Sequence, residues 1–92
     1  MSIEEKKIVQ DDALLALIKK MVETPGPSGQ EQLIRAAILE EIQGSADEIR
    51  TDAMGNLIAR KGSKQPNGLC IMISAHMDEI GLMVTHVDED GF

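Results

Sequence analysis

The side chains with the clearest potential for chemistry are a histidine and an acid in the stretch "ISAHMDEIGLMV". His76 and Asp78 are two residues apart, so in extended backbone their side chains point to the same side. A neutral imidazole is a good ligand for zinc or cobalt, and a carboxylate often holds the other ring nitrogen of such a ligand. The spacing is compatible with a metal ligand at His76. Asp78 would then orient either His76 or a second histidine.

The same pair also fits an ordinary strand end, where a histidine is hydrogen-bonded at the surface. A hydrolytic metal site needs at least three protein ligands per ion, and only one histidine is well placed here. We interpret His86 as an exposed or cross-strand residue and Glu79 as a solvated or paired acid rather than a general base. Both interpretations of His76 stay open on spacing alone, and the chain lacks a complete metallohydrolase site.

Two further motifs and the cysteine have structural explanations. "DEDG", Asp88 to Gly91, lacks the spaced oxygens and terminal glutamate of a calcium loop, so it is interpreted as a turn. "GPSG" has neither the preceding strand nor the lysine of a phosphate loop, which favours helix capping. The single cysteine, Cys70, has apolar neighbours and is predicted to be a buried thiol.

The first half of the chain has the pattern of two helices. Apolar residues at helical spacing predict a helix from Asp11 to near Glu23, after a frayed or loosely wound start over residues 1–10. The prolines of "TPGPSG" end that helix. Ser28 and the acid three residues later form a capping box for a second helix, which stops at Gly44.

The second half has the pattern of strands. Residues 47–51 and 56–61 predict a hairpin around the "DAMG" turn. Residues 69–74, "LCIMIS", form an uninterrupted apolar run that is typical of a strand covered on both faces, as at the centre of an α/β sheet. Residues 80–87 predict another strand that ends at the "DEDG" turn. The sequence therefore predicts an α/β fold.

Composition narrows the function classes. The 92 residues include 16 acidic and 9 basic side chains, for a net charge of -7, which disfavours nucleic acid and anionic membrane surfaces as partners. The apolar runs are shorter than the roughly 20 residues that span a bilayer, and the first residues lack the apolar core of a signal peptide. These features predict a cytoplasmic protein.

Three motifs in order, "TPGPSGQE", "TDAMGNLIARKG" and "ISAHMDEIGLMVTHVDEDGF", resemble the N-terminal portion of the M42 family of metallo-aminopeptidases. The family includes glutamyl and deblocking aminopeptidases, and some members have been described as endoglucanases or cellulases. The resemblance covers the chain from Asp11 onward. It implies a three-layer α/β catalytic domain that cleaves N-terminal residues from peptides with two divalent ions, zinc or cobalt.

The resemblance also implies residue roles. His76 matches the first metal-ligand histidine of the family, and Asp78 matches the catalytic-site acid that fixes imidazole geometry. Gly55 and Asn56 match a "GN" turn with a structural role. Residues 1–78 correspond to the start of the catalytic domain, and residues 79–92 to the beginning of a β-rich inserted domain through which members dimerise and build homo-oligomers.

The extent of the resemblance sets a further expectation. In the family, the bridging aspartate, the general-base glutamate and the remaining ligands follow later than the residues matched here. We therefore expect the 92 residues to be a fragment of a longer enzyme, with two helices, a hairpin and a central strand, and to be inactive alone. The alternative is a non-catalytic α/β fragment or assembly module without a complete metal site.

Overall fold

The computed structural model describes residues 3–62 and 65–92. It contains helices α1 (Ile3–Glu23) and α2 (Gln32–Ile42), followed by strands β1 (Glu48–Thr51) and β2 (Leu57–Arg60). The predicted mixture of helices and strands is confirmed at this level. Parts of two sequence predictions, residues 1–2 of the frayed start and residues 63–64 of the loop after the hairpin, lie outside the described residues.

Helix α1 ends where the sequence predicted and begins earlier. It starts at Ile3, so the prediction of a frayed or loosely wound segment up to residue 10 is wrong for residues 3–10. The sequence has no glycine or proline between Ile3 and Glu23, and nothing in it interrupts a continuous helix. Thr24 Oγ1 donates a hydrogen bond to Lys20 O at 2.5 Å, just before Pro25 prevents continuation.

Helix α2 begins without the predicted capping box. Glu31 precedes the first helical residue, and none of the described side chains caps that end. The Gln30 amide donates to Pro27 O at 2.9 Å, so Ser28 lies inside a turn that ends before the helix begins. Glu31 Oε1 instead accepts a hydrogen bond from the Gly29 amide at 2.8 Å. The C-terminal end is confirmed, since the helix stops two residues before Gly44.

The predicted hairpin is confirmed. Strands β1 and β2 pair antiparallel, with Thr51 opposite Leu57. Gly55 has φ +89°, a left-handed conformation that a glycine adopts without strain. The Asp52 carboxylate accepts hydrogen bonds from the Met54 amide at 3.0 Å, the Asn56 amide at 2.9 Å and Asn56 Nδ2 at 2.9 Å. These bonds, those from Asn56 foremost, lower the pKa of Asp52.

The "DEDG" turn is confirmed and repeats this design. The Gly91 amide donates to Asp88 O at 3.1 Å, and Gly91 has φ +87°. The Asp88 carboxylate accepts hydrogen bonds from the Asp90 amide at 3.0 Å and the Phe92 amide at 2.9 Å. The turn is therefore closed by its own first residue, as the hairpin turn is by Asp52.

Helix α2 is the element that the others contact. Among the described side chains, its Ile34 and Ala37 are the buried apolar ones. Lys20 of α1 forms ion pairs with Glu41 at 2.8 Å and Glu40 at 3.3 Å. On the opposite side, Arg35 Nε donates to Gly55 O at 2.9 Å and ties α2 to the hairpin turn.

The predicted strands after the hairpin do not form. Residues 69–74 and 80–87 have no assigned strand, and Leu69 and Ile73 are each 92% exposed. A strand covered on both faces needs neighbouring strands and flanking layers, and the described residues supply neither to this segment. The prediction of a buried Cys70 is wrong for the same reason, because this thiol is exposed.

Candidate functional site

The segment around His76 lies against the loop that joins the two helices. The Glu79 amide donates to Gly26 O at 2.9 Å, and Glu79 forms an isolated parallel bridge with Pro27. Because Gly26 and Pro27 belong to "TPGPSG" and Glu79 to "HMDEIG", the fold brings two of the three sequence motifs into contact. The candidate site is built on this junction.

The structure brings His76 and Asp78 together. His76 Nδ1 lies 2.9 Å from Asp78 O and 3.1 Å from Asp78 Oδ1. Both Asp78 atoms are acceptors when the carboxylate is ionised, so these contacts are hydrogen bonds when Nδ1 carries the proton. The neutral ring then has its lone pair on Nε2. The His76 side chain is 86% exposed and that of Asp78 40%, which leaves the imidazole accessible.

An open cleft of about 440 Å³ borders this pair. Its lining includes Pro27 and Ser28 from the interhelical loop and Ile80 and Met83 from the segment after Asp78. The sequence predicted that this loop caps a helix, and its position beside His76 was not predicted. The available signal was the pair of prolines around a glycine, which produces a stiff extended loop suited to pairing with another backbone.

The described residues around His76 do not form a complete metal centre. Within residues 3–62 and 65–92, no group of three or more His, Cys, Asp or Glu side chains could hold a metal ion. His76 offers one imidazole nitrogen, and Asp78 already accepts from the other. Glu79 takes part through its backbone, while its side chain and that of His86 are exposed. His76 therefore fits a metal as a single oriented ligand, and further donors are required.

Similarity to known proteins indicates the class. The chain is 49% identical over 84 residues to a putative aminopeptidase of Acetivibrio thermocellus, covering 91% of this chain and 24% of that protein. It is 46% identical over 77 residues to the lysyl aminopeptidase of Pyrococcus furiosus, covering 83% and 21%. A glutamyl aminopeptidase of Lactococcus lactis is 32% identical over 74 residues, covering 80% and 21%. The chain thus spans about a quarter or less of the length of these relatives.

One family model matches the second part of the chain. The family model described as M42 glutamyl aminopeptidase matches residues 55–92, the part of the chain that holds Asn56, His76 and Asp78. The resemblance predicted from the three motifs is therefore confirmed, and residues 55–92 are the stretch that matches the M42 family model. In the part of the chain that the structure describes, no helix is both long enough and apolar enough to cross a membrane.

Proposed function

We propose that this chain belongs to a metal-dependent aminopeptidase of the M42 type, in which His76 binds one of two divalent ions and Asp78 orients the imidazole. The contact of His76 Nδ1 with Asp78, inside the family-matched stretch, carries the proposal. The relatives' names as aminopeptidases support peptides as substrates. The lack of a membrane-spanning helix among the described residues is compatible with a cytoplasmic location.

The role proposed for the described residues is to orient one metal ligand, the imidazole of His76. Asp78 holds the Nδ1 proton, which keeps the lone pair on Nε2, limits ring rotation and raises the basicity of the ligand. The exposure of His76 leaves room for an ion and a peptide at the same face. Zinc or cobalt ions held by His76 and further donors would supply Lewis-acid chemistry, namely the activation of a water and the polarisation of the peptide carbonyl group.

The proposal includes donors outside the described residues. Each ion of a hydrolytic site needs at least three protein ligands, and the described residues offer no such group. We assign the missing ligands, the bridging acid and the general base to the rest of the whole protein, in line with the 24% share of the first relative that the chain covers. The chain alone is expected to be inactive.

The same proposal extends to the fold. An open space of about 1640 Å³ is bounded by the apolar face of α2, the hairpin and residues 68–78. We propose that further strands and helices fill it in the whole protein, so that residues 69–74 become a buried central strand of a three-layer α/β domain. Residues 79–92 would then begin a β-rich inserted domain for dimerisation. The full exposure of Ile80 and Leu82, at 102% and 101%, supports a second set of contacts there.

The test uses the whole protein with His76→Ala, and His86→Ala as the matched control. We expect His76→Ala to lose metal and most of the rate on aminoacyl-p-nitroanilides, because one ligand of the ion is gone. His86→Ala is expected to keep both, since the imidazole that contacts Asp78 is that of His76. A His76→Ala variant with full metal content and full rate would contradict the proposal.

A second candidate, a non-catalytic α/β fragment or assembly module, is favoured by the lack of a three-donor group among the described residues. This candidate predicts that the 92-residue chain has no peptidase activity, and an assay of the chain with added cobalt tests that prediction. Peptidase activity of the chain would rule out this candidate. We expect none, and the comparison of His76→Ala with His86→Ala in the whole protein then decides between the two candidates.

A further inference from the structure

We propose that the loop residues Gly26 and Pro27 position the His76–Asp78 pair by clamping the backbone of residues 77–81 against helix α2. The catalytic consequence of this positioning rests on the proposed function, whereas the clamp itself is a property of the described residues. Gly26 and Pro27 are assigned as positioning residues, because neither is argued to touch substrate or metal.

The first half of the clamp is a close contact at Gly26. This glycine is buried, and a Cβ atom added to it would lie 2.6 Å from Ile34 Cγ2 and 3.0 Å from Ile34 Cβ. The same Cβ would lie 3.6 Å from Met77 O. Ile34 is the most deeply buried side chain named in α2, at 4% exposure. Gly26 therefore fills a narrow space between the helix and the backbone just before Asp78, which only the absence of a side chain allows.

The second half of the clamp is on the other side of Asp78. The Glu79 amide donates to Gly26 O at 2.9 Å, and a Cβ added to Gly81 would lie 3.0 Å from Pro27 Cβ. The loop thus meets residues 77, 79 and 81 in succession along one extended stretch. Proline fixes its own φ, so the loop offers a stiff template for that stretch.

The clamp acts on Asp78, because both of its neighbours, Met77 and Glu79, lie against Gly26. Its carbonyl oxygen and its carboxylate both contact His76 Nδ1. A shift of the backbone at Met77 and Glu79 therefore moves both acceptors together relative to the imidazole. Because hydrogen bonds weaken steeply with poor angles and longer distances, a small displacement is enough to release the ring.

The test compares matched glycine variants of the chain. Gly26→Ala places a methyl group against Ile34, while the control Gly44→Ala meets no atom within 4 Å and has no positive φ to strain. The double variant Gly26→Ala/Ile34→Leu keeps the volume of the side chain at position 34 but removes its Cγ2 branch, so it is expected to rescue. Gly81→Ala perturbs the clamp from the side of Pro27 without contacting Ile34.

Two metal-free NMR measurements report the outcome. Amide hydrogen exchange of Glu79 follows its bond to Gly26, and the ¹⁵N signals of the His76 imidazole show which ring nitrogen carries the proton. We expect Gly26→Ala to speed Glu79 exchange by about tenfold, the scale of one lost hydrogen bond, and to convert His76 from the Nδ1–H tautomer to a mixture. Gly81→Ala shifts both signals in the same direction, Gly44→Ala shifts neither, and the double variant restores both.

The results separate this inference from the proposed function. If the His76 tautomer is the same in the unsubstituted chain, Gly26→Ala and Gly81→Ala, the clamp does not position the ring and the inference is overturned. If the tautomer responds as expected but the whole protein proves to have no metal-dependent peptidase activity, the proposed function alone fails. A loss of folding in Gly26→Ala is recognised from its amide spectrum, and Gly81→Ala then carries the test.

Discussion

At the scale of single residues, the relation of His76 to Asp78 was easier to predict from the sequence than the backbone contacts around this pair. Their spacing predicted that the side chains of His76 and Asp78 point to the same side, because alternation in extended backbone depends only on local geometry. The spacing left open whether Asp78 orients His76 or a second histidine. Gly26 was not predicted to lie beside this pair, because its close approach to Met77 joins residues that are far apart in the sequence. Such contacts leave no local pattern for a sequence to show.

Replacing Asp78 tests the orienting role directly. We expect Asp78→Asn in the whole protein to weaken zinc or cobalt binding by about 10- to 100-fold, the usual effect of losing the acid that holds a ligating histidine. Titration with a metallochromic chelator measures the affinity. Glu79→Gln is the control, since Glu79 contributes its amide rather than its side chain to the junction. Equal losses in both variants would show that general charge near the site matters, and not the Asp78 contact.

At the scale of elements, local sequence signals were sufficient to predict a helix end and a hairpin turn. The end of α1 at Glu23 and the hairpin around Asp52 were predicted correctly, because prolines and turn residues act over a few positions. The predicted capping box at the start of α2 was wrong. Ser28 had the right spacing for a cap, but a turn closed by Pro27 and Gln30 competes for the same backbone.

The hairpin turn gives a pH prediction. The pKa of Asp52 is lower in the folded turn than its ordinary value of 3.8, chiefly because of the hydrogen bonds from Asn56. Its contribution to stability is therefore fully present above that ordinary value and is lost as the pH falls through the folded-state pKa. We expect the Asn56 amide proton shift to titrate below pH 3.8 in an NMR series.

The control for this titration is Asp12→Asn, an exposed position in α1. It should leave the Asn56 titration unchanged, whereas Asp52→Asn should abolish it and lower the thermal stability of the hairpin at neutral pH. An Asn56 shift that titrates at or above the ordinary value of 3.8 would contradict the assignment of these hydrogen bonds.

At the scale of the whole molecule, the described residues do not form a compact hydrophobic core. The radius of gyration is 18.5 Å, against about 12 Å for a compact domain of this length. The apolar run from residue 69 to 74 was predicted to be a buried strand, and it is exposed and unpaired among the described residues. A central strand depends on partners from distant parts of a fold, and among the described residues none pairs with it.

This exposure predicts self-association of the chain. Ile71 is 79% exposed within an unpaired apolar stretch, and Met54 is 88% exposed but isolated in the hairpin turn. We expect Ile71→Lys to lower the average mass seen by sedimentation at high concentration, because a lysine in an open strand edge disfavours pairing between chains. Met54→Lys should leave the mass unchanged. Equal average masses for the two variants would show that the segment from residue 69 to 74 is not the association surface.

The most direct measurement of the central claim is the number of metal ions bound per chain of the whole protein, with and without the His76 imidazole. Equilibrium dialysis against cobalt or zinc, followed by elemental analysis, gives that number, and the peptidase rate is read on the same samples. We predict two ions and full activity for the unaltered protein and for His86→Ala, and loss of at least one ion with most of the activity for His76→Ala. Two ions and full activity in His76→Ala would contradict the account.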